Sequence, residues 1–105
     1  MEITKKDWEL FRKRIGEWQE AYMDRLNKEY IELLEEEKPA SIKFWELEKR
    51  IRQDRKKPGV IIEMSKWEVP YHLVNLLQDE AITIDDLEGF SKDLVEHVKK
   101  IASRE

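Results

Sequence analysis

The side chains most able to do chemistry form a basic run, KRIRQDRKKPG at residues 49–59, in a chain with a net charge of −4. The six cationic residues of this run are Lys49, Arg50, Arg52, Arg55, Lys56 and Lys57. Clustered cations of this kind bind phosphates, because association releases counterions from a nucleic acid. They are equally typical of a helix C-terminus, where positive charge complements the helix dipole. We favour the interpretation of this run as the end of a helix. Nucleic-acid binding by residues 49–57 is the alternative.

Signatures of catalysis and of metal binding are weak in this sequence. It contains no Cys, so a thiolate nucleophile and Cys-based metal sites are excluded. Each of its two His residues follows an acid by four positions, in the pairs Glu68–His72 and Asp93–His97. This spacing suits surface or cap pairs on a helix, whereas di-metal bundles use Glu-x-x-His. The three Gly residues form no phosphate-binding loop. We predict a protein that is not an enzyme and that holds no metal or cofactor.

The helices that must position these residues begin with a repeated capping pattern. Thr4, Ser65 and Thr83 are each followed three residues later by an acid, which suits a hydroxyl cap with an acid in the first turn. Apolar residues spaced by three and four extend each segment. The predicted helices span residues 5–37, 42–56, 66–78, 84–88 and 92–102. Between them, residues 60–64 are expected to form a turn of helix or an extended link, because no other segment offers a strand partner.

These elements predict an all-α fold, a small helical bundle that forms one domain over residues 1–105. Its parts are a long N-terminal helix (5–37), an antiparallel second helix (42–56) and a C-terminal cluster of two to three shorter helices (60–105). The short turn after the first helix brings the basic end of the second back along the first. We expect Glu17, Glu20 and Asp24 to neutralise part of that basic end.

The predicted first helix is long for its domain. Its 33 residues would span about 50 Å, whereas a compact domain of this size has a radius of gyration near 13 Å. The helix must therefore bend near Gly16, or a second copy of the chain must cover the part of the apolar stripe that extends beyond the domain. We favour the second copy slightly.

An apolar and aromatic stripe runs along this first helix at a spacing of three and four. Its members are Trp8, Phe11, Ile15, Trp18 and Tyr22. Such a stripe is most often core, and we expect Trp45 and Trp67 to pack on it. The excess helix length makes a protein interface the main alternative, since aromatic residues are enriched at interface cores. These five residues are therefore the candidate anchors of a homodimer.

Four stretches of the sequence resemble known proteins. They are GEWQEAYM, KFWELEKRI, PGVIIEM and ITIDDLEGFS, and they are similar to segments of short helical bacterial proteins with no assigned function. The resemblance covers most of the chain and implies a bacterial origin. It implies no activity for any residue.

The hydropathy of the chain bears on its location. No apolar run approaches the roughly 20 residues that span a bilayer, and the N-terminus has no apolar region of the signal-peptide kind. We expect a cytoplasmic protein without a membrane partner. This interpretation predicts a non-catalytic interaction or regulatory module, whose partner is another protein or a second copy of the chain.

Overall fold

The fold is all-α, as predicted. The computed structural model describes residues 1–104, which contain four α-helices, two short 3₁₀ turns and no strand. The helices are α1 (Lys5–Glu35), α2 (Ala40–Asp54), α3 (Val69–Gln78) and α4 (Lys92–Ala102), and the 3₁₀ turns are Lys66–Glu68 and Ile84–Leu87. The molecule is elongated, with extents of 52 × 27 × 20 Å. Its long axis is about the length of α1, whose 31 residues rise about 46 Å.

The long helix α1 is continuous. It begins at Lys5 because Thr4 caps it, with Oγ1 accepting the N–H of Asp7 at 3.1 Å. The helix is not interrupted at Gly16, where we considered a bend, and the molecule is 52 Å long. The predicted overhang is therefore real, and the second half of α1 extends beyond the core.

The hydrophobic core lies at one end of the molecule, between the first half of α1 and the C-terminal cluster. Phe11 of α1 is fully buried, together with Leu73 of α3 and Leu94 and Val98 of α4. The remaining buried members are Ile3, Ile15, Val69, Val74, Leu76, Ile82, Leu87 and Phe90. This single core holds α1, α3 and α4 together, and α2 contributes nothing to it.

A buried carboxylate fastens α4 to α1. Asp7 accepts hydrogen bonds from the backbone N–H of Ser91 at 2.8 Å and from its hydroxyl at 2.6 Å. The same hydroxyl accepts from the N–H of Leu94 at 3.3 Å and so caps α4. One carboxylate therefore fixes the start of α4 against the first turn of α1.

The segment before α3 is an extended link rather than a strand. The side chain of Ser65 makes no capping hydrogen bond, so the predicted cap there is wrong. Pro70 lies in the first turn of α3, where a missing N–H leaves no helical bond unmade. The predicted surface pair with Glu68 is also wrong, since His72 instead lies with Nε2 2.9 Å from the carbonyl of Glu63. The link is thereby held against α3.

The second half of α1 and the antiparallel helix α2 form a hairpin, residues 23–54, joined by a turn at residues 36–39. We call residues 32–38 the hairpin tip. We call residues 49–57, which comprise the end of α2 and the three residues after it, the hairpin base. Below the base the chain returns along α1, where Gln19 Nε2 donates to the carbonyl of Pro58 at 2.9 Å. The hairpin projects from the core and is anchored only at its base.

Candidate protein-interaction surface

The helix α2 exposes large apolar side chains. Phe44 and Trp45 are 62% and 63% exposed, and their rings meet edge to face with centroids 5.0 Å apart. Ile42 and Ile51 are also exposed. Within α2 the only buried residue is Asp54, which is 3% exposed. The helix therefore buries a carboxylate and leaves its apolar side chains in water.

The spacing along α2 explains this inversion. The positions that face α1 are Lys43, Leu47, Arg50 and Asp54, which recur at intervals of four, three and four. Three of these four side chains are polar. The apolar residues Phe44 and Ile51 each follow one of these positions by one residue, which turns them about 100° away from α1. The seam between the two helices is polar, and the apolar stripe lies beside it.

That stripe forms the wall of a surface groove, which we call the hairpin groove. Its α2 part has a volume of about 380 Å³ and is lined by Phe44, Leu47, Glu48, Ile51, Arg52 and Arg55. An adjoining part of about 280 Å³ shares Ile51 and Arg55 and reaches Met23, Leu26 and Tyr30 of α1. The apolar surface is therefore continuous from one helix to the other.

The seam of the hairpin is held by a group of polar contacts around Asp54. The hydroxyl of Tyr30 donates to Oδ2 of Asp54 at 2.6 Å, and Nε of Arg50 lies 3.0 Å from the same oxygen. Arg50 also forms an ion pair with Glu29 of α1. Partial burial and the hydrogen bond to Asp54 raise the pKa of Tyr30 above its usual range. These contacts fix the register of α2 on α1.

Charges without a partner are separated by sign along the hairpin. Among the described residues, several exposed charged side chains of the hairpin form no ion pair or hydrogen bond. At the tip these are the acids Glu32, Glu35 and Glu37, and at the base they are the cations Lys49, Arg55 and Lys56. Other charges of the hairpin are engaged within the chain, such as Lys38 with Glu36 at 2.9 Å and with Glu46 at 3.3 Å. The hairpin is negative at its tip and positive at its base.

The structure divides the six predicted phosphate-binding residues into two groups. Arg50, Arg52 and Lys57 are engaged within the chain, with Glu29, Glu48 and Asp54 respectively. Lys49, Arg55 and Lys56 are exposed at the hairpin base. The acid of α1 that pairs with this basic run is Glu29, rather than the predicted Glu17, Glu20 or Asp24. The reason is that α2 packs farther along α1 than we expected. Asp24 instead pairs with Lys28 at 3.0 Å.

The five predicted interface residues pack within their own chain. Phe11, Ile15 and Tyr22 are buried, and Trp8 and Trp18 are partly buried against the same core. The rings of Phe11 and Trp18 are in edge-to-face contact at 6.3 Å. This set therefore offers little apolar surface to a partner, because the C-terminal cluster packs on four of its members and the loop at Gly59 packs on Tyr22.

The exposed residues that sequence reasoning missed are aromatic. Trp45 and Trp67 were expected to pack on the α1 stripe, and this expectation is wrong, since Trp67 is 67% exposed and Trp45 nearly as much. A second group of exposed apolar residues follows α2, namely Ile61, Met64, Trp67 and Tyr71. The sequence of α2 did contain a signal of this exposure. Its apolar residues do not share one helical face, so one neighbouring helix cannot bury all of them.

Metal-binding and membrane-spanning features are absent from residues 1–104. No group of three or more ligating side chains is placed to hold a metal ion. No helix has the length and apolar character needed to cross a bilayer. No family model, curated protein or solved structure matches this chain. Function is therefore inferred from the residues themselves.

Proposed function

We propose that this protein is a non-catalytic interaction module that self-associates through the exposed face of α2. The observation that carries the proposal is that α2 buries only Asp54 while Phe44, Trp45 and Ile51 are exposed. Burying a side chain of this size contributes about 1.5–3 kcal/mol. A second copy that covered these side chains would supply the apolar burial that α2 lacks in the single chain.

The hairpin groove suits a protein partner better than a small molecule. It is an open surface along a helix rather than an enclosed cavity, and its walls combine aromatic and aliphatic side chains with Arg52 and Arg55 at the edge. Aromatic residues and Arg are the types enriched at protein interfaces. The self-association first considered for α1 is thus moved to α2, since the α1 stripe is occupied by the core.

The size of the surface supports a weak complex. Contiguous apolar patches of about 300–600 Å² on a monomer are often functional, whereas a stable interface buries about 800 Å² per partner. Phe44 and Ile51 line one groove on a short helix, with Trp45 against Phe44, so we expect a surface of the smaller kind. We expect a reversible dimer with a dissociation constant on the order of micromolar.

Sedimentation equilibrium over a wide concentration range tests the proposal. The wild-type mass should rise toward that of two chains as concentration increases, and Phe44→Asp and Ile51→Asp should each remain monomeric. Trp67→Asp is the matched control, because Trp67 is at least as exposed but lies outside α2. A wild-type chain that stays monomeric throughout, or a control variant that dissociates as readily as Phe44→Asp, would refute the proposal.

A further inference from the structure

We infer that the second copy packs its α2 antiparallel to the first, about a two-fold axis that passes beside Leu47 and Glu48. This arrangement rests on the proposed self-association and specifies its geometry. A two-fold interface is isologous, so the surface must complement itself: if residue i contacts residue j, then j contacts i. The separated charges of the hairpin meet this condition, and the two apolar residues Phe44 and Ile51 fix where the axis would lie.

The apolar stripe is symmetric in position about the proposed axis. Phe44 lies three residues before Leu47, and Ile51 lies three residues after Glu48. In an antiparallel pair, Phe44 of each copy therefore covers Ile51 of the other, and position 48 of each copy lies near the axis. Phe44 and Ile51 are exposed and line the same groove, so they lie on one side of the helix.

The separated charges select the antiparallel direction. Glu35 and Glu37 at the tip and Arg55 and Lys56 at the base have no partner among the described residues. In the antiparallel arrangement each acidic tip meets the basic base of the other copy. A parallel arrangement would place tip against tip and base against base, and like charges brought together oppose association.

The absence of Cys makes the geometry directly measurable, since every introduced thiol is the only one in its chain. Glu48→Cys lies beside the proposed axis and should cross-link to itself through a short bis-maleimide linker. Arg55→Cys should not cross-link to itself, but it should form a mixed product with Ala40→Cys. In an antiparallel pair these two positions face each other, whereas in a parallel pair they are about 22 Å apart.

Gln53→Cys is the matched control for reactivity. Gln53 is exposed and lies on the far side of α2 from the groove, so it should give no dimer product. Self-cross-linking of Arg55→Cys, with no mixed product, would overturn the antiparallel arrangement while leaving self-association intact. A wild-type chain that is monomeric in sedimentation would overturn the proposed function itself, and the arrangement with it.

Charge reversal provides a second test that does not depend on thiol placement. The pair Arg55→Glu and Lys56→Glu in one chain should weaken self-association about threefold to tenfold at low salt, and Glu35→Lys with Glu37→Lys should do the same. Mixing these two variants should restore association as a heterodimer. A mixture that associates no better than either variant alone would show that tip and base do not meet.

Discussion

The phenol of Tyr30 donates a 2.6 Å hydrogen bond to Oδ2 of Asp54, and so joins α1 to the last residue of α2. The carboxylate of Asp54 also lies 3.0 Å from Nε of Arg50 and 3.8 Å from Nζ of Lys57. Because α2 fully buries no apolar side chain, these polar contacts hold α2 on α1, whereas a hydrophobic core holds the other helices together. We therefore expect the stability of the hairpin to be separable from that of the core.

Removal of the Tyr30 hydroxyl tests that separation. Tyr30→Phe deletes a hydrogen bond to a charged acceptor, a loss of about 1.5–3 kcal/mol. We expect amide hydrogen exchange in α2 to accelerate while exchange in α4 is unchanged, measured at a concentration where the chain is monomeric. Asp24→Ala, which breaks an exposed ion pair with Lys28, is the control and should leave α2 exchange unaltered. Equal acceleration in α2 and α4 would mean that hairpin and core unfold together.

We expect the burial of Tyr30 and its hydrogen bond to Asp54 to make the hairpin sensitive to alkaline pH. Partial burial and the Asp54 carboxylate raise the pKa of Tyr30 above its usual value of about 10. The folded state then holds the phenolic proton more tightly than the unfolded state does. This contribution to stability is complete below about pH 10 and is lost as pH rises through the folded-state pKa.

Tyrosinate absorbance provides the measurement. The wild-type titration should contain a late component, and this component should disappear in Tyr30→Phe. Tyr71→Phe is the control, because the Tyr71 side chain is exposed and the late component should survive its loss. A late component that persists in Tyr30→Phe would assign the raised pKa to another tyrosine.

Two glycines should respond to alanine with opposite signs. A Cβ at Gly59 would clash with the buried ring of Tyr22, reaching Cγ at 2.6 Å, and overpacking of this kind costs about 1–3 kcal/mol. A Cβ at Gly16 would meet nothing within 4 Å, and alanine in a helix interior is favoured by about 0.5–1 kcal/mol. Denaturant unfolding should show Gly59→Ala destabilised and Gly16→Ala stabilised. A neutral Gly59→Ala would show that the loop can move off Tyr22.

The helices could be predicted from the sequence where a cap and an apolar face agree. The last helix was predicted over 92–102 and is observed at Lys92–Ala102, because Ser91 caps it and Leu94 and Val98 face the core. The second helix was predicted over 42–56 and is observed at Ala40–Asp54. The prediction assigned residues 38–40 to a turn, whereas the helix already begins at Ala40, directly after Pro39 with φ −52°.

The exposed surface could not be predicted from periodicity alone. The stripe on α1 was correctly identified, but whether the C-terminal cluster or a second chain covers it depends on contacts distant in sequence, such as Asp7 with Ser91. Likewise, the face that α2 turns toward α1 is set by Asp54 and Tyr30, 24 positions apart. A local pattern contains no information about such pairs, so Phe44 was not singled out and Trp45 was wrongly expected to pack on the α1 stripe.

Nucleic-acid binding by residues 49–57, the alternative function, should be weak. Only Lys49, Arg55 and Lys56 of this run lack an ion pair or hydrogen bond to the described chain, so at most about three phosphates can be neutralised. The slope of log affinity against log salt would then be no steeper than about −2.7 for a duplex. We expect labelled duplex DNA and single-stranded RNA to show no binding at physiological salt.

The decisive comparison uses two triple variants with the same change in net charge. Lys49, Arg55 and Lys56 are replaced by Glu in one variant, and Lys99, Lys100 and Arg104, which are exposed at the end of α4, in the other. Any residual binding at low salt should fall about equally in both, because it reflects overall charge rather than a site. Binding that survives physiological salt and is lost only in the first variant would establish the hairpin base as a phosphate-binding site, and the protein would then be a nucleic-acid-associated one.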